Sequence, residues 1–318
     1  MSGNIVQATP EAIAEAAAIL RAGGLVAFPT ETVYGLGANA LDPVAVRRIF
    51  EVKGRPQDNP LILHVANIRE ASKYAEINPT AEALMHQFWP GPLTLVMFGL
   101  DCVPEITRGG LDTVALRMPM NPVALSLIRE TGLPLAAPSA NKSGRPSPTT
   151  VQAVAEDLGD EVDMILDGGP TSIGLESTVV DTTGDAVAIL RPGGVTKEML
   201  AQMADLSEED EERLAFRSPG TRYRHYAPTL PLLLWVDGNP GPFDRIAGMK
   251  WCYLGTKEPP SGFFRKVVFH TMEQYARELF STLRELEVSG GNVIVAELPE
   301  DAGIGSAIRN RLSRAAGR

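Results

Sequence analysis

Sulfur, imidazole and long apolar runs are all scarce in this chain, and each shortage narrows what it can be. Cys102 and Cys252 are the two cysteines in 318 residues. Far apart and without metal-ligand spacing, they imply neither a disulfide framework nor a zinc site, and read as inert thiols in a reducing compartment. Histidine is represented by four residues; with His64, His86, His225 and the two cysteines as principal candidates, covalent nucleophilic catalysis is poorly supplied. No stretch approaches the ~20 apolar residues of a membrane helix; the strongest, Leu230 to Val236, is short and contains Pro231. The N-terminal residues lack a basic segment followed by an apolar core, so no secretory signal is expected and the cytoplasm is the default. Basic residues are outnumbered, 29 against 39 acidic, for a net charge of −10. That argues against a broad nucleic-acid-binding surface, while a local basic pocket for one nucleotide remains compatible. The acidic run Glu208 to Glu212 reads as a solvated face or linker. A Gly-x-x-x-x-Gly-Lys-Ser/Thr loop is missing, which excludes a standard P-loop; a triphosphate site would have to be built from separated segments.

What is present reads as an α/β protein of two domains, since single cores stop growing at about 250–300 residues. Helix starts recur as a capping residue followed by proline: Thr9-Pro10, Asp42-Pro43, Asn78-Pro79, Asn121-Pro122 and Ser147-Pro148. In the first helix Ile13, Ala16, Ala17 and Leu20 recur at helical spacing, and Gly23-Gly24 ends it. Strands are expected at 25–28, 61–65, 93–98, 113–117, 133–136, 164–166, 178–181 and 187–190. They do not strictly alternate with helices, so one large twisted mixed sheet flanked by helices is the expected architecture. Character changes around 207–229, giving three segments: a first domain at 1–206, a linker at 207–229 and a small α/β (Rossmann-like) domain at 230–318. In the last, strands are expected at 232–236, 251–254 and 293–296. One helix should be capped by Thr271 with Gln274 in a capping box, and another should start near Ser306. Gly303-Ile304-Gly305 offers a Gly-x-Gly without the strand-turn-helix context and matching acid of a dinucleotide site.

Two short polar clusters stand beside apolar runs: Lys53-Gly54-Arg55 and Ser139-Ala140-Asn141. Lysine supplies a point charge and arginine a planar fork, so together they can neutralise several phosphate oxygens, and serine and asparagine after a strand can finish the cradle. Phosphoryl and nucleotidyl transfer depend mostly on positioning and on such cations, which Lys53, Arg55, Arg117, Lys142 and Arg191 can provide. Arg117 ends an apolar strand, and a buried guanidinium needs an anion, either substrate or protein carboxylate. Thr32 and Ser177 can equally cap turns, and His64 can be a structural histidine on its strand. Tyr34 and Trp89 read as packing residues.

These clusters keep company with Phe28-Pro29-Thr30-Glu31-Thr32-Val33-Tyr34-Gly35-Leu36-Gly37, Asp58-Asn59-Pro60-Leu61-Ile62-Leu63-His64-Val65 and Trp89-Pro90-Gly91-Pro92-Leu93-Thr94. Ala137 to Gly144, Leu175-Glu176-Ser177-Thr178-Val179-Val180-Asp181, Leu190-Arg191-Pro192-Gly193 and Ser218 to Pro228 follow. In that order the motifs resemble the threonylcarbamoyl-AMP synthase family (Sua5/YrdC/TsaC), in its longer two-domain Sua5 type, over nearly the whole chain. The resemblance implies a YrdC-like catalytic domain, a linker acting as a lid and a Sua5 C-terminal domain. It implies a nucleotidyltransferase reaction in which L-threonine and bicarbonate give N-carboxythreonine, whose carboxylate attacks the α-phosphate of ATP and expels pyrophosphate. Mg2+ is expected with ATP; no carboxylate pair with obvious spacing identifies protein ligands for it. The product would pass to a separate transferase complex that modifies adenosine 37 of tRNAs reading ANN codons, any direct tRNA contact being weak. By the same resemblance Lys53, Arg55, Asn59, Thr113, Ser139, Asn141, Ser147, Arg191 and Tyr226 line the ATP side, with Lys53 and Arg55 facing the phosphates. Thr32, His64, Arg117, Ala137 (through its backbone) and Ser177 would take L-threonine. A related carbamoyl-adenylate maker, as in hydrogenase-maturation proteins, would carry acylphosphatase and zinc-finger modules that are absent from this sequence; an RNA-binding module is disfavoured by the acidic charge.

Overall fold

Proline-capped helices and buried strands alternate through the first two thirds of the computed structural model, which describes residues 4–207, 225–236 and 249–317. Ten strands form one mixed sheet: β1 (Ile5–Gln7), β2 (Val26–Pro29), β3 (Tyr34–Asn39), β4 (Ile62–His64), β5 (Leu93–Phe98), β6 (Thr113–Arg117), β7 (Leu135–Ala136), β8 (Met164–Asp167), β9 (Thr178–Asp181) and β10 (Ala188–Arg191). Their spatial order is β1-β8-β2-β3-β7-β4-β6-β5-β9-β10. Pairing is parallel in β4/β6 and β5/β9 and antiparallel in β3/β7, β4/β7 and β5/β6. A second sheet, β11 (Leu232–Trp235), β12 (Trp251–Gly255), β13 (Arg265–Val268) and β14 (Val293–Glu297), is wholly parallel in the order β11-β14-β12-β13. It carries the helices Met272–Glu287 and Ile304–Ala315. A large mixed sheet with a small separate parallel one is the architecture read from the pattern. The acidic run, the Ser218 to Arg224 part of the linker and its lid character fall outside the described residues.

Four of the five cap-proline pairs start helices as expected. Thr9, Asp42, Asn78 and Asn121 each accept a hydrogen bond from a first-turn amide, with proline at the first helical position. Ser147-Pro148 does not. There the helix begins at Val151 with Thr150 as cap, because the Pro148 carbonyl accepts from the Tyr34 amide and Ser147 donates to Glu176, holding the dipeptide out of the helix. Three strands escaped the pattern. In β3 the glycines blur the alternation, yet a Cβ at Gly37 would sit 2.7 Å from the Phe28 ring, so the close strand approach requires glycine. β1 is three residues long, and β13 is a charged edge. The last helix opens at Ile304 rather than Ser306, directly after β14 and its loop, so Gly303 does stand in a strand-turn-helix context. Its N–H donates to the Glu198 carboxylate of the first domain. Gln274 accepts from the His270 amide, one residue before the expected capping-box partner.

The two domains share buried polar contacts. Val33, Leu175 and Tyr226 pack into the same apolar cluster as Tyr275, Phe280 and Ile308 of the second domain. Asp157, its side chain wholly buried, accepts from Arg145 and from Arg284 of helix Met272–Glu287 at 2.6 and 2.7 Å. Arg284→Met is therefore expected to destabilise the protein by about 3–5 kcal/mol, since it strands most of a buried carboxylate's compensation. A urea midpoint equal to that of the parent chain would refute this account of the interface.

Candidate active site

Adjacent strand ends and two loops converge on one small cavity. β4 and β6 lie side by side with His64 and Arg117 as register partners at their C-terminal ends. The helix Pro43–Lys53 ends on Gly54 in the left-handed conformation (φ 61°), which turns Arg55 out of the helix; its guanidinium donates to the Pro60 carbonyl at 3.1 Å. The loop after β7 runs along β3, with Leu36 N–H donating to Pro138 O and Ala140 N–H to Tyr34 O. These segments, with β9, β10 and residues 225–226, enclose a cavity of about 60 Å3. Arg55, Arg191, Ser139, Asn141, Ser147 and Tyr226 line it from the expected ATP group, and Thr32, His64, Arg117, Ala137 and Ser177 from the expected threonine group.

Lys53, Asn59 and Thr113 are buried but not among the lining residues. Lys53 donates from Nζ to the Ser139 carbonyl at 2.6 Å and to the Asn141 carbonyl. Burial, and then the charge of Arg55, push its ammonium well below the usual lysine value. Its visible role is to hold the Ser139–Asn141 loop. Thr113 opens β6, a strand's length from Arg117, and Asn59 lies beside the helix end in the turn where its N–H donates to Pro56 O.

Arg117 meets a protein carboxylate. Its Nη2 donates to Glu31 at 2.6 Å, Nη1 to the Thr32 hydroxyl at 2.9 Å and Nε to the Gly91 carbonyl at 3.2 Å. The fork is thus fixed rigidly at the cavity wall. Arg191 is fixed in the same way: Nε and Nη2 donate to the Ser177 carbonyl, and Nη2 also to its hydroxyl at 3.2 Å. Ser177 in turn shares a hydrogen bond with Thr94 at 2.8 Å. Ala137 spends its N–H on Ile62 O. Arg55 and Arg191, held by carbonyls and a hydroxyl, and Arg117, held also by the Glu31 carboxylate, form at this concave wall a preorganised surface able to take an anion.

His64 is neutral: burial first, then the charge of Arg117, lowers its pKa to about 3, and Nδ1 lies 3.2 Å from the Ile62 carbonyl, to which it donates. His225 is lowered to about 3 as well, by burial and then by Arg55 and Lys53. Its Nε2 is buried at the cavity with no hydrogen-bond partner. A histidine depressed in the fold protonates first in the unfolded chain, so stability is full above about pH 6.5 and falls as pH drops towards 3, by up to about 1.4 kcal/mol per pH unit per group. His64→Gln should remove about one proton's share of that slope between pH 6 and 4 in urea melts; an unaltered slope would contradict a neutral buried His64.

Three functional side chains were missed as such in the sequence. Glu31 and Glu176 lie inside quoted motifs but drew no role, because their neighbours Thr32 and Ser177 did. Arg311 had one signal: it falls on the apolar face of its helix with Ala307, Ile308, Leu312 and Ala315. It is fully buried and reaches Glu176 from the second domain.

Two family models match consecutive parts of the chain. Residues 18–193 match the Sua5–YciO–YrdC family, described as "Telomere recombination", and residues 195–317 match the family described as "Threonylcarbamoyl-AMP synthase, C-terminal domain". The threonylcarbamoyl-AMP synthase of Bacillus subtilis is 45% identical over 96% of this chain and 93% of its own length. That of Pyrococcus abyssi is 45% identical over 95% of this chain and 93% of its own. The crystal structure of P. abyssi Sua5 complexed with L-threonine superposes with a TM-score of 0.87 at 42% identity, covering 98% of this chain and 96% of that one. Among the described residues no helix is long and apolar enough to cross a membrane. The chain therefore belongs to the threonylcarbamoyl-AMP synthase family and is an enzyme of that type.

Proposed function

We propose that this cavity binds L-threonine and ATP and, with bicarbonate, yields threonylcarbamoyl-AMP and pyrophosphate, the adenylate then serving a transferase that modifies adenosine 37 of tRNAs reading ANN codons. The observation that carries this reading is the meeting, in one cavity, of Arg55, Arg191, Ser139 and Asn141 with Thr32, His64, Arg117 and Ser177. The first set suits phosphate and ribose oxygens; the second suits an amino acid's carboxylate and hydroxyl. The carbamate of threonine is already an anion, so no strong base is needed to make the nucleophile, and neutral His64 is consistent with that. Catalysis then rests on aligning the carbamate oxygen with the α-phosphorus and on offsetting the charge that accumulates on phosphate oxygens.

Magnesium would arrive with ATP. Among the described residues no group of three or more His, Cys, Asp or Glu stands ready for a metal, and Glu31 and Glu176 already accept from Arg117 and Arg311. Phosphate oxygens and water suit its preference for a largely hydrated, octahedral shell, and the metal would add charge neutralisation at the triphosphate. Tyr226 and His225 are among the lining residues, on the side of the expected ATP group. Tyr226 holds φ 64°, a left-handed conformation that costs a residue other than glycine of order 1–3 kcal/mol.

Pyrophosphate release by the purified chain, with and without L-threonine and bicarbonate, tests the reading. Release should require both. Valine should be rejected by a factor of about 10^4 if the site hydrogen-bonds the hydroxyl, and serine, lacking one methyl, by only about 10- to 200-fold. Release that ignores threonine would overturn the assignment.

A further inference from the structure

Glu176 is an anomaly at a site built for anions. Glu176 lines the cavity together with Ser147, Ser177 and Arg191, on the side assigned above to the nucleotide. An uncompensated buried carboxylate there would repel the ligand and carry its own desolvation cost. The compensation comes from the other domain. Arg311, in the helix Ile304–Ala315, donates from Nε to Glu176 Oε2 at 2.7 Å and from Nη2 to the Glu176 carbonyl at 3.4 Å. Its Nη1 is anchored on the Pro192 carbonyl at 3.0 Å and on Asn310 Oδ1 at 2.9 Å. The guanidinium is fully buried and stands 5.5 Å over the Tyr226 ring, which itself stacks on Phe280 at 5.3 Å. The other carboxylate oxygen of Glu176 accepts from the Ser147 hydroxyl.

We propose that Arg311 is a positioning residue for the nucleotide half of the site: it neutralises Glu176 so that this carboxylate can orient Ser147 without repelling an anionic ligand. The second domain is then required for nucleotide binding through one charge. This rests on the nucleotide reading of the cavity given above. The alternative, that Arg311 serves only to glue the domains, predicts a loss of stability without a specific pH signature.

The groups facing Glu176 set that signature. They are Arg311 on its helix, Arg191 on β10, Ser147 on its loop, and His225 and the Tyr226 ring on the segment before β11. Burial pushes Glu176 up, but Arg311, Arg191 and the Ser147 hydrogen bond outweigh it and hold the carboxyl below its usual range. It therefore stays ionised, and compensated, across neutral pH. Without Arg311 burial dominates and the carboxyl titrates at a higher pH. Below that point it is neutral and harmless; above it, a charge left with Arg191 and Ser147 as partners opposes the ligand.

The test measures Mg-ATP affinity by equilibrium dialysis from pH 5.5 to 9 for the full-length chain, R311M, R311K and the E176Q/R311M double variant, with thermal melts of each. R311M should lose about tenfold or more in affinity at pH 8 and recover as pH falls. R311K, keeping the charge, should lose less. At pH 8 the double variant should bind ATP more tightly than R311M and should lack the new pH dependence, because the charge that R311M uncovers is gone. If R311M fails to fold, R311K carries the test: the proposal expects it to lose less than about tenfold in ATP affinity at pH 8, and affinity unchanged from the parent chain or lost equally at every pH would overturn it. Unchanged ATP affinity in a folded R311M, or a pH-independent loss that E176Q does not rescue, would overturn the proposal. Failure of the nucleotide reading itself is separately visible, as no ATP binding by the parent chain at any pH.

Discussion

Arg117→Met is expected to lower threonine-dependent pyrophosphate release by roughly two to three orders of magnitude and folding stability by about 3–5 kcal/mol. Both effects come from one guanidinium. It is 3% exposed and satisfies Glu31, Thr32 and the Gly91 carbonyl at once. Methionine fills the volume but leaves the Glu31 carboxylate with the Met120 amide as its remaining recorded donor, at 3.1 Å, so a buried charge loses most of its compensation. The two effects can be separated. In Glu31→Gln/Arg117→Met the orphan charge is gone, and stability should largely return, because a matched neutral pair costs far less than a bare ion. Release should not return, because the fork that would take the threonine carboxylate is still missing. Arg117→Lys should fall between, since an ammonium cannot keep the planar contacts to Glu31, Thr32 and Gly91 together. A Michaelis constant for threonine in Arg117→Met within a few-fold of the parent value would sink the role given to this residue.

The resolution of Arg117 illustrates how far the chain can be read. That an anion must meet a guanidinium at the end of an apolar strand follows from desolvation alone; which anion depends on tertiary placement. Glu31 is 86 positions away in sequence from Arg117, and nothing local points one at the other. The same limit separates the well-read helices from Ser147-Pro148. Thr9, Asp42, Asn78 and Asn121 cap through bonds within their own turn, so sequence suffices. Ser147 instead serves Glu176, 29 positions on, and Pro148 serves β3. β3 itself was illegible because its glycines answer to Phe28 and not to any periodicity along their own strand. At the site, the residues that strand ends and the helix C-cap at Gly54 bring to one cavity are ones their motifs single out. Arg311 lay beyond reach because its partner belongs to the other domain, although an arginine on an apolar helical face was a sign that some buried anion awaited it.

Lys53→Met is expected to reduce ATP-dependent turnover by about 100-fold, and by a route different from simple loss of a phosphate contact. The ammonium donates to the Ser139 and Asn141 carbonyls, with Asn141 Oδ1 at 3.4 Å, and lies outside the cavity lining. Methionine leaves two carbonyls facing an apolar side chain, at about 1–3 kcal/mol for each group left unsatisfied. The cheapest relief is for the loop to move, which carries Ser139 and Asn141 away from the cavity. Asn141 also donates to the Lys142 and Arg145 carbonyls at 2.9 Å, so the displacement would spread along the loop towards Ser147. If Lys53 acts through this loop, ATP and AMP should lose affinity by similar factors, since the ribose or first-phosphate contacts proposed for Ser139 and Asn141 would fail together. If it touched the outer phosphates directly, ATP would weaken and AMP would not. Dialysis of both nucleotides against Lys53→Met distinguishes the two, and a selective loss of ATP would return Lys53 to the phosphates.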